Sequence, residues 1–143
     1  MAVLGIGLVV LVAILFYAST VDGRAPTVLS ISLTQHLAGD AQVALTTASV
    51  EVDFSETVDR TSAQKAFAIS PAVSGSFSWR AASLTFTPAG RLPLRTEFVV
   101  TIGPGARDRA GNVMAAGAAP FRFATVGNPS QLSADGWQPR WLP

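Results

Sequence analysis

The sequence predicts an all-β chain, an antiparallel β-sandwich of about seven strands preceded by one N-terminal transmembrane or signal helix. Three observations support this prediction. A run of twenty uncharged residues opens the chain, apolar residues then recur at every second position, and turn-forming residues separate the short apolar runs. We therefore expect a membrane anchor or signal segment over residues 1–22, a sandwich domain over 26–126, and a flexible tail containing Pro and Trp over 127–143.

The N-terminal apolar segment reads AVLGIGLVVLVAILFYASTV from Ala2 to Val21. A helix rises about 1.5 Å per residue, so this length crosses a hydrocarbon layer of roughly 30 Å. The alternative is a cleaved signal peptide, for which a basic start and an Ala-x-Ala site are missing, although Ala18, Ser19 and Gly23 are small enough to permit cleavage. The length favours the anchor, and the uniformly apolar surface disfavours a buried helix of a soluble protein.

After a short linker over residues 22–26, the apolar periodicity becomes that of strands. Successive residues of a strand point to opposite faces, so each alternating run predicts one apolar inner face. The predicted rows are Leu29, Ile31 and Leu33; Val50, Val52 and Phe54; Phe77 and Trp79; Leu84 and Phe86; Phe98, Val100 and Ile102; and Phe121 and Phe123. Glu51, Asp53 and Ser55 take the outer face of the second run.

One segment, TSAQKAFA from Thr61 to Ala68, is predicted to be helical. Thr61 or Ser62 is the expected N-cap, because hydroxyl side chains accept hydrogen bonds from the first free N–H groups of a helix. The helix is expected to end at Ser70-Pro71, since the residue before proline avoids helical dihedral angles.

The charge and cysteine content exclude several functions. Ten basic and nine acidic residues give a formal net charge of +1, which lacks the basic footprint that nucleic acids require. The chain has no cysteine, so disulfides, thiolate metal sites and a cysteine nucleophile are excluded. The sandwich must therefore be stabilised by packing alone.

The order of short motifs resembles the bacterial Ig-like domain of S-layer and other cell-surface proteins. The motifs are "APTVLSISL" from Ala25, "VEVDFSETVDRTSAQKAFAISP" from Val50 to Pro71, "GSFSWRAASLTFTPAGRLPLRTEFVVTI" from Gly75, "GARDRAGNVM" from Gly105, and "FRFAT" ending at Thr125. The resemblance implies an Ig-like sandwich on the extracytoplasmic side of a membrane, or secreted if the N-terminal segment is cleaved. It also implies a non-catalytic spacer, structural or adhesion module, with cell-wall glycan or a surface protein as possible partners.

The segment Arg107 to Asn112, RDRAGN, is the most polar run of the chain and corresponds to a late loop of that family. Its composition predicts a turn, because glycine adopts positive φ, Asn tolerates the left-handed region, and Asp108 can accept backbone N–H bonds. A calcium site is the competing hypothesis. Its oxygen ligands would come from Asp53, Glu56, Asp59, Asp108 and Asn112. Arg60, Arg107 and Arg109 lie among these acids and oppose cation binding.

Other chemistry is not expected. His36 is the sole histidine, which leaves neither a metal site nor a triad that this chain could complete. "DFSETVD" is also similar to the periplasmic copper carriers, but the late loop here lacks the histidine of their Asp-Gly-His. Glu51 and Asp53 share a strand face at about 6.5 to 7 Å, yet outward carboxylates are usually only solvated. We expect no catalytic, cofactor or metal residues and no enzymatic activity.

The tail, residues 127–143, ends in GWQPRWLP. Its Trp137, Trp141 and Leu142 are expected to dock on the sandwich, to remain in a flexible extension, or to meet a partner or the membrane interface. The main functional expectation is a membrane-anchored or exported binding or spacer module. The alternatives are an accessory domain of a larger exported enzyme or assembly and, less favoured, a small metal carrier.

Overall fold

A computed structural model describes residues 23–37 and 39–126. The N-terminal apolar segment and the tail lie outside these residues, as does Ala38 of one predicted turn. Within the described part, no helix has the length and apolar character needed to cross a membrane.

The described residues form two packed β-sheets and one short helix. In chain order the elements are β1 (Val28–Leu33), β2 (His36–Leu37), β3 (Asp40–Leu45), β4 (Val50–Phe54), α1 (Arg60–Ala66), β5 (Phe67–Ser70), β6 (Gly75–Arg80), β7 (Ser83–Pro88), β8 (Glu97–Ile102) and β9 (Phe121–Val126). The first sheet has the order β1-β4-β7-β6 and the second the order β2-β3-β9-β8-β5. The predicted all-β sandwich is confirmed. The described residues form nine strands rather than about seven, and the sandwich is not wholly antiparallel, because β3 pairs with β9 in parallel.

Most predicted apolar rows face the space between the sheets. Val52, Leu84 and Val100 have no exposed surface, and the fully buried Phe98 and Phe123 stack with ring centroids 5.2 Å apart. Aromatic contacts also join the two sheets. Phe67 of the second sheet lies 5.3 Å from Phe77 and 5.0 Å from Phe86 of the first sheet, measured between ring centroids. This closed interior supplies the stabilisation expected without disulfides.

The prediction that Leu29 belongs to the inward row of β1 is wrong. The register between β1 and β4 shifts between Val28, which is opposite Phe54, and Ser30, which is opposite Asp53. Such a β-bulge places one extra residue on β1 and changes which residues point inward. Leu29 is 68% exposed as a result, whereas Val28 takes the inward position and packs on the core.

The helix begins one residue earlier and ends two residues earlier than predicted. It spans Arg60–Ala66, and its N-cap is Asp59 rather than Thr61 or Ser62. The chain does not stay helical as far as Ser70-Pro71, because Phe67–Ser70 forms β5 and pairs with β8. Phe67 and Ile69 are half-buried against the core in this strand. Tertiary packing therefore overrides the local helical tendency of this segment.

Strand β3 was not predicted, because it lacks alternation. It pairs in parallel with β9, with Val43 opposite Ala124 and Leu45 opposite Val126. Val43 and Ala44 are adjacent and both buried, and so are Ala124 and Thr125. A strand that is apolar on both faces has no period of two, so its pattern cannot be distinguished from other short apolar runs.

The chain enters and leaves the sandwich at opposite ends. We call the end where β1 begins, β4 ends and α1 lies the α1 end. β8 also finishes there, since the Gly103 N–H donates to the Ala66 carbonyl at 2.8 Å. β9 is antiparallel to β8, so it begins at the α1 end and finishes with Val126 at the other end, which we call the far end.

Candidate functional site

The polar residues that the sequence singled out meet at the α1 end. The turn after β4 and the loop after β8 are joined by an antiparallel bridge between Val58 and Asp108. The Asp59 N–H donates to the Arg107 carbonyl at 2.6 Å, and the Arg107 N–H donates to the Ser62 hydroxyl at 3.0 Å. These bonds fix the RDRAGN loop against the first turn of α1.

Asp108 organises the RDRAGN loop from inside. Only 5% of the residue is exposed, and its carboxylate accepts hydrogen bonds from the Asn112 backbone N–H at 2.8 Å and from the Asn112 side-chain amide at 2.6 Å. Desolvation by burial acts to raise the pKa of Asp108. The side-chain bond from Asn112 and the backbone bonds from Asn112, Gly111 and Ala110 outweigh it, so the pKa lies below its ordinary value.

The backbone of the loop agrees in part with the turn prediction. Gly111 has φ of 92°, in the region that favours glycine. Asn112 is not among the described residues with positive φ, so the loop does not use its tolerance of the left-handed region. Its role is that of a donor to Asp108 and, through its carbonyl, of an acceptor from the Asp108 N–H at 3.0 Å.

Asp59 is a helix cap. Its carboxylate accepts a hydrogen bond from the Ser62 N–H at 2.8 Å, and the Ser62 hydroxyl donates back to the Asp59 carbonyl at 2.9 Å. The signal for this role was present in the sequence, as an aspartate three residues before a serine at a helix start. We assigned the cap to the hydroxyl residues that follow it instead.

Asp53 is on a different surface from Asp59 and Asp108. It lies on the outer face of the first sheet, where its carboxylate accepts hydrogen bonds from the Ser30 hydroxyl at 2.8 Å and from the Ser83 hydroxyl. The structure thus uses Asp53 to join β1, β4 and β7. In residues 23–37 and 39–126, no three His, Cys, Asp or Glu side chains are grouped so that they could hold a metal ion.

The remaining candidate side chains are set apart from this end. Glu51 is half-buried on the outer face of β4, opposite Ser32 and Thr85. His36 is exposed in β2, and its Nδ1 lies 3.1 Å from the Leu37 carbonyl. His36 belongs to the two-residue strand β2 at the edge of the second sheet.

An open pocket of about 590 Å³ lies beside the RDRAGN loop at the α1 end. The Arg60 guanidinium is 6.0 Å from the centroid of the Trp79 ring, so a cation and an aromatic face form one side of the pocket. The Trp79 indole N–H is buried and has no hydrogen-bond partner. The lining residues are Thr57, Val58, Asp59, Arg60, Trp79, Ala81, Asp108 and Arg109.

Four exposed basic side chains lie on α1 and the RDRAGN loop at the α1 end, and two of them, Arg60 and Arg109, line this pocket. Arg60 and Lys65 extend from α1, and Arg107 and Arg109 extend from the RDRAGN loop. Asp59 caps the helix, and Asp108 is held inside its loop. The arrangement can attract an anion by charge, but the described residues at this end include no histidine or cysteine for nucleophilic or metal chemistry. The sequence suggested the acids and missed the pairing of Arg60 with Trp79, which are 19 positions apart.

Comparison with known proteins assigns the fold. A family model described as a bacterial Ig-like domain matches residues 22–125. The chain belongs to this family. A comparison with curated proteins found no match.

Two solved structures are similar to the Ig-like domain. An L,D-transpeptidase from Mycobacterium smegmatis matches with a TM-score of 0.52 and 21% identity, covering 72% of this chain and 41% of that one. L,D-transpeptidase 3 from Mycobacterium tuberculosis matches with a TM-score of 0.44 and 19% identity, covering 70% of this chain and 37% of that one. The present chain therefore spans less than half the length of either enzyme, and at this identity the first similarity establishes the fold alone.

Proposed function

We propose that the chain is a non-catalytic Ig-like module on the outer side of a bacterial membrane, tethered by its N-terminal apolar segment and acting as a spacer or binding domain. The observation that carries the proposal is the separation of the chain ends. The domain starts at the α1 end, where the Thr27 N–H donates to the Ser55 hydroxyl at 3.0 Å, and finishes at Val126 at the far end.

A six-residue strand such as β9 is about 20 Å long, at roughly 3.3 Å per residue. A tether at one end and a continuation at the other therefore hold the tail about one strand length farther from the membrane than the anchor. The acids at the α1 end support a non-catalytic role, because Asp59 and Asp108 are engaged in holding local structure.

Membrane flotation tests the tether. The full chain should float with lipid vesicles and resist an alkaline wash, because a helix of twenty uncharged residues is long enough to span the bilayer. The double variant Leu11→Arg/Ile14→Arg should remain in the soluble fraction, since each arginine at the bilayer centre costs about 2.5 to 3.5 kcal/mol. The control Leu94→Arg/Val113→Arg adds the same charge at two exposed sites of the sandwich and should still float.

Mass spectrometry of the mature N-terminus separates the tether from a secreted form. An intact Met1 or Ala2 in the membrane fraction supports the anchor, whereas a chain beginning near Arg24 contradicts it and indicates export with cleavage. Capture of purified cell-wall glycan or a surface protein by the anchored chain would support the binding role.

A second candidate function is an accessory domain of a larger exported enzyme or assembly. It is favoured by the similarity to an L,D-transpeptidase of which this chain spans 41%. Under this alternative, an envelope enzyme should co-purify with the anchored chain in stoichiometric amounts, or the neighbouring genomic sequence should encode a catalytic region. Recovery of the chain alone from gently solubilised membranes favours the spacer.

A further inference from the structure

The α1 end carries more positive charge than its acids offset. Arg60, Lys65, Arg107 and Arg109 are all exposed there, and we call these four residues the basic collar. Asp108 is buried, and Asp59 is bonded to the first turn of α1. The acids at this end are Asp53, Glu56, Asp59 and Asp108, and the exposed Arg24 and Arg80 add to the four basic residues of the collar. Six basic residues against four acids leave this end with a net positive charge.

The basic collar is at the end of the domain where the described chain enters the sandwich, directly after the N-terminal apolar segment in sequence. Pro26 is fully buried in the sandwich, so only residues 22–25 separate the domain from that segment. Five Cα-to-Cα steps from residue 21 to residue 26 span at most about 19 Å. The Debye length at physiological ionic strength is about 8 Å, so a membrane holding the segment would lie within about two and a half screening lengths of Pro26.

Two exposed apolar side chains accompany the basic collar. Leu29, 68% exposed, projects from the bulge at the start of β1, and Val113, 41% exposed, is in the bridge with Arg107. The third large apolar side chain exposed among the described residues, Leu94, lies between β7 and β8 at the far end. Arginine and lysine beside exposed apolar side chains are typical of surfaces that lie against lipid headgroups.

We propose that the basic collar docks on the anionic headgroups of the same membrane into which the N-terminal segment inserts, so that the sandwich stands with its α1 end on the bilayer. The inference rests on the proposed tether and adds a specific orientation and a lipid class to it. Each basic residue near an anionic surface strengthens association about five-fold, which corresponds to about 1 kcal/mol. Loss of two should reduce the ratio of docked to undocked domain roughly 25-fold.

The absence of cysteine allows a direct test with the full chain. A single cysteine replaces the exposed Ala110 in the RDRAGN loop or the exposed Ala89 after β7, and each carries the same fluorophore. The chain is placed in bilayers of phosphatidylcholine alone or mixed with phosphatidylglycerol, each doped with a headgroup-nitroxide lipid as quencher. We expect the Ala110→Cys label to be quenched strongly only with phosphatidylglycerol, and the Ala89→Cys label to be quenched weakly in both.

Matched charge variants test whether the basic collar is the surface that contacts the lipid headgroups. Arg107→Gln/Arg109→Gln should return the quenching of the Ala110→Cys label to its level in phosphatidylcholine, and raised salt should do the same. Arg91→Gln/Arg122→Gln removes the same charge at exposed sites outside the basic collar and should leave the quenching unchanged. Retained thermal unfolding temperatures show that both variants are folded.

Several outcomes would overturn the inference. Equal quenching in the two lipid mixtures, or equal effects of the two double variants, would refute docking while leaving the tether intact. Retention of the chain on soluble polyphosphate, together with quenching independent of phosphatidylglycerol, would assign the basic collar to an anionic polymer instead. Failure of the chain to float with either lipid mixture would refute the tether and with it this inference.

Discussion

Buried Asp108 and exposed Asp59 show how neighbouring carboxylates of one type perform different structural tasks. The Asp108 carboxylate accepts hydrogen bonds from N–H groups of its own loop, and the Asp59 carboxylate caps the first turn of α1. Both side chains bond within five residues of their own position, yet the backbone of each segment bonds to the other across the Val58–Asp108 bridge. The RDRAGN loop is therefore a folded turn that positions the arginines of the basic collar.

Replacement of Asp108 should make stability depend on pH differently from the parent chain. The native pKa of Asp108 is lowered by its hydrogen bonds, so the carboxylate stabilises the fold above the unfolded pKa, and this contribution is lost as pH falls through the lower native pKa. We expect Asp108→Asn to lower the free energy of unfolding at neutral pH, with the difference shrinking as the medium is acidified. Urea unfolding across the range in which aspartate titrates measures this, with Glu51→Gln as charge control. A difference that stays constant with pH would contradict the assignment.

Removal of the helix cap should lower the free energy of unfolding only slightly, because the cap acts on the first turn of α1 alone. Asp59→Ala leaves the Ser62 N–H without its acceptor and should reduce the free energy of unfolding by about 1 kcal/mol. Asp59→Ser keeps a capping oxygen and should recover most of that loss. Urea denaturation of the two variants beside the parent chain measures both effects, and equal losses would show that capping is not the role of Asp59.

At the scale of elements, the bulge in β1 gives two leucines of one strand very different burial. Leu29 is 68% exposed and Leu33 is 6% exposed. Leu29→Ala should change the free energy of unfolding by no more than about 0.5 kcal/mol, as is usual for exposed sites. Leu33→Ala should cost about 2 to 5 kcal/mol, because it leaves a cavity in the core. Chemical denaturation of the matched pair tests the register, and a large loss for Leu29→Ala would refute the bulge.

Most of the strands that the sequence predicted have one apolar face. Val50–Phe54 and Glu97–Ile102 alternate cleanly in burial, and both were predicted. β3 was missed because Val43 and Ala44 are buried on opposite faces, and β5 was missed because a helix former such as Gln64 precedes it without a break. The position of Leu29 depends on pairing with β4, which no local pattern records.

The sequence identified the acidic residues of the candidate site, but it did not predict how the site is arranged in space. The residue types at Asp108 and Gly111 are enough to predict a turn. The pocket joins β6 to α1 through Trp79 and Arg60, and that contact follows from the way the sheets close. Long-range contacts of this kind leave no periodic trace in the sequence, whereas local hydrogen bonds such as the Asp59 cap do.

At the scale of the whole molecule, the core that the structure describes over residues 23–37 and 39–126 is that of the sandwich. Its buried members run from Leu33 to Phe123, and the sheets pair through backbone ladders within residues 28–126. A fragment over residues 23–126 should therefore unfold in one cooperative thermal transition, since small single domains usually behave as two-state systems. Its unfolding temperature should not change with reducing agent, because the chain has no cysteine.

Two fragments that both begin at residue 23 test this cooperative unfolding. A fragment over residues 23–143 adds only the tail, so any difference in unfolding temperature measures what the tail contributes to the sandwich. Calorimetry should give a van't Hoff enthalpy equal to the calorimetric enthalpy for residues 23–126. A broad, non-cooperative transition in that fragment alone would show that the sandwich needs the tail to fold. The same behaviour in both fragments would show that it needs the N-terminal segment, and an independent Ig-like module would then be excluded.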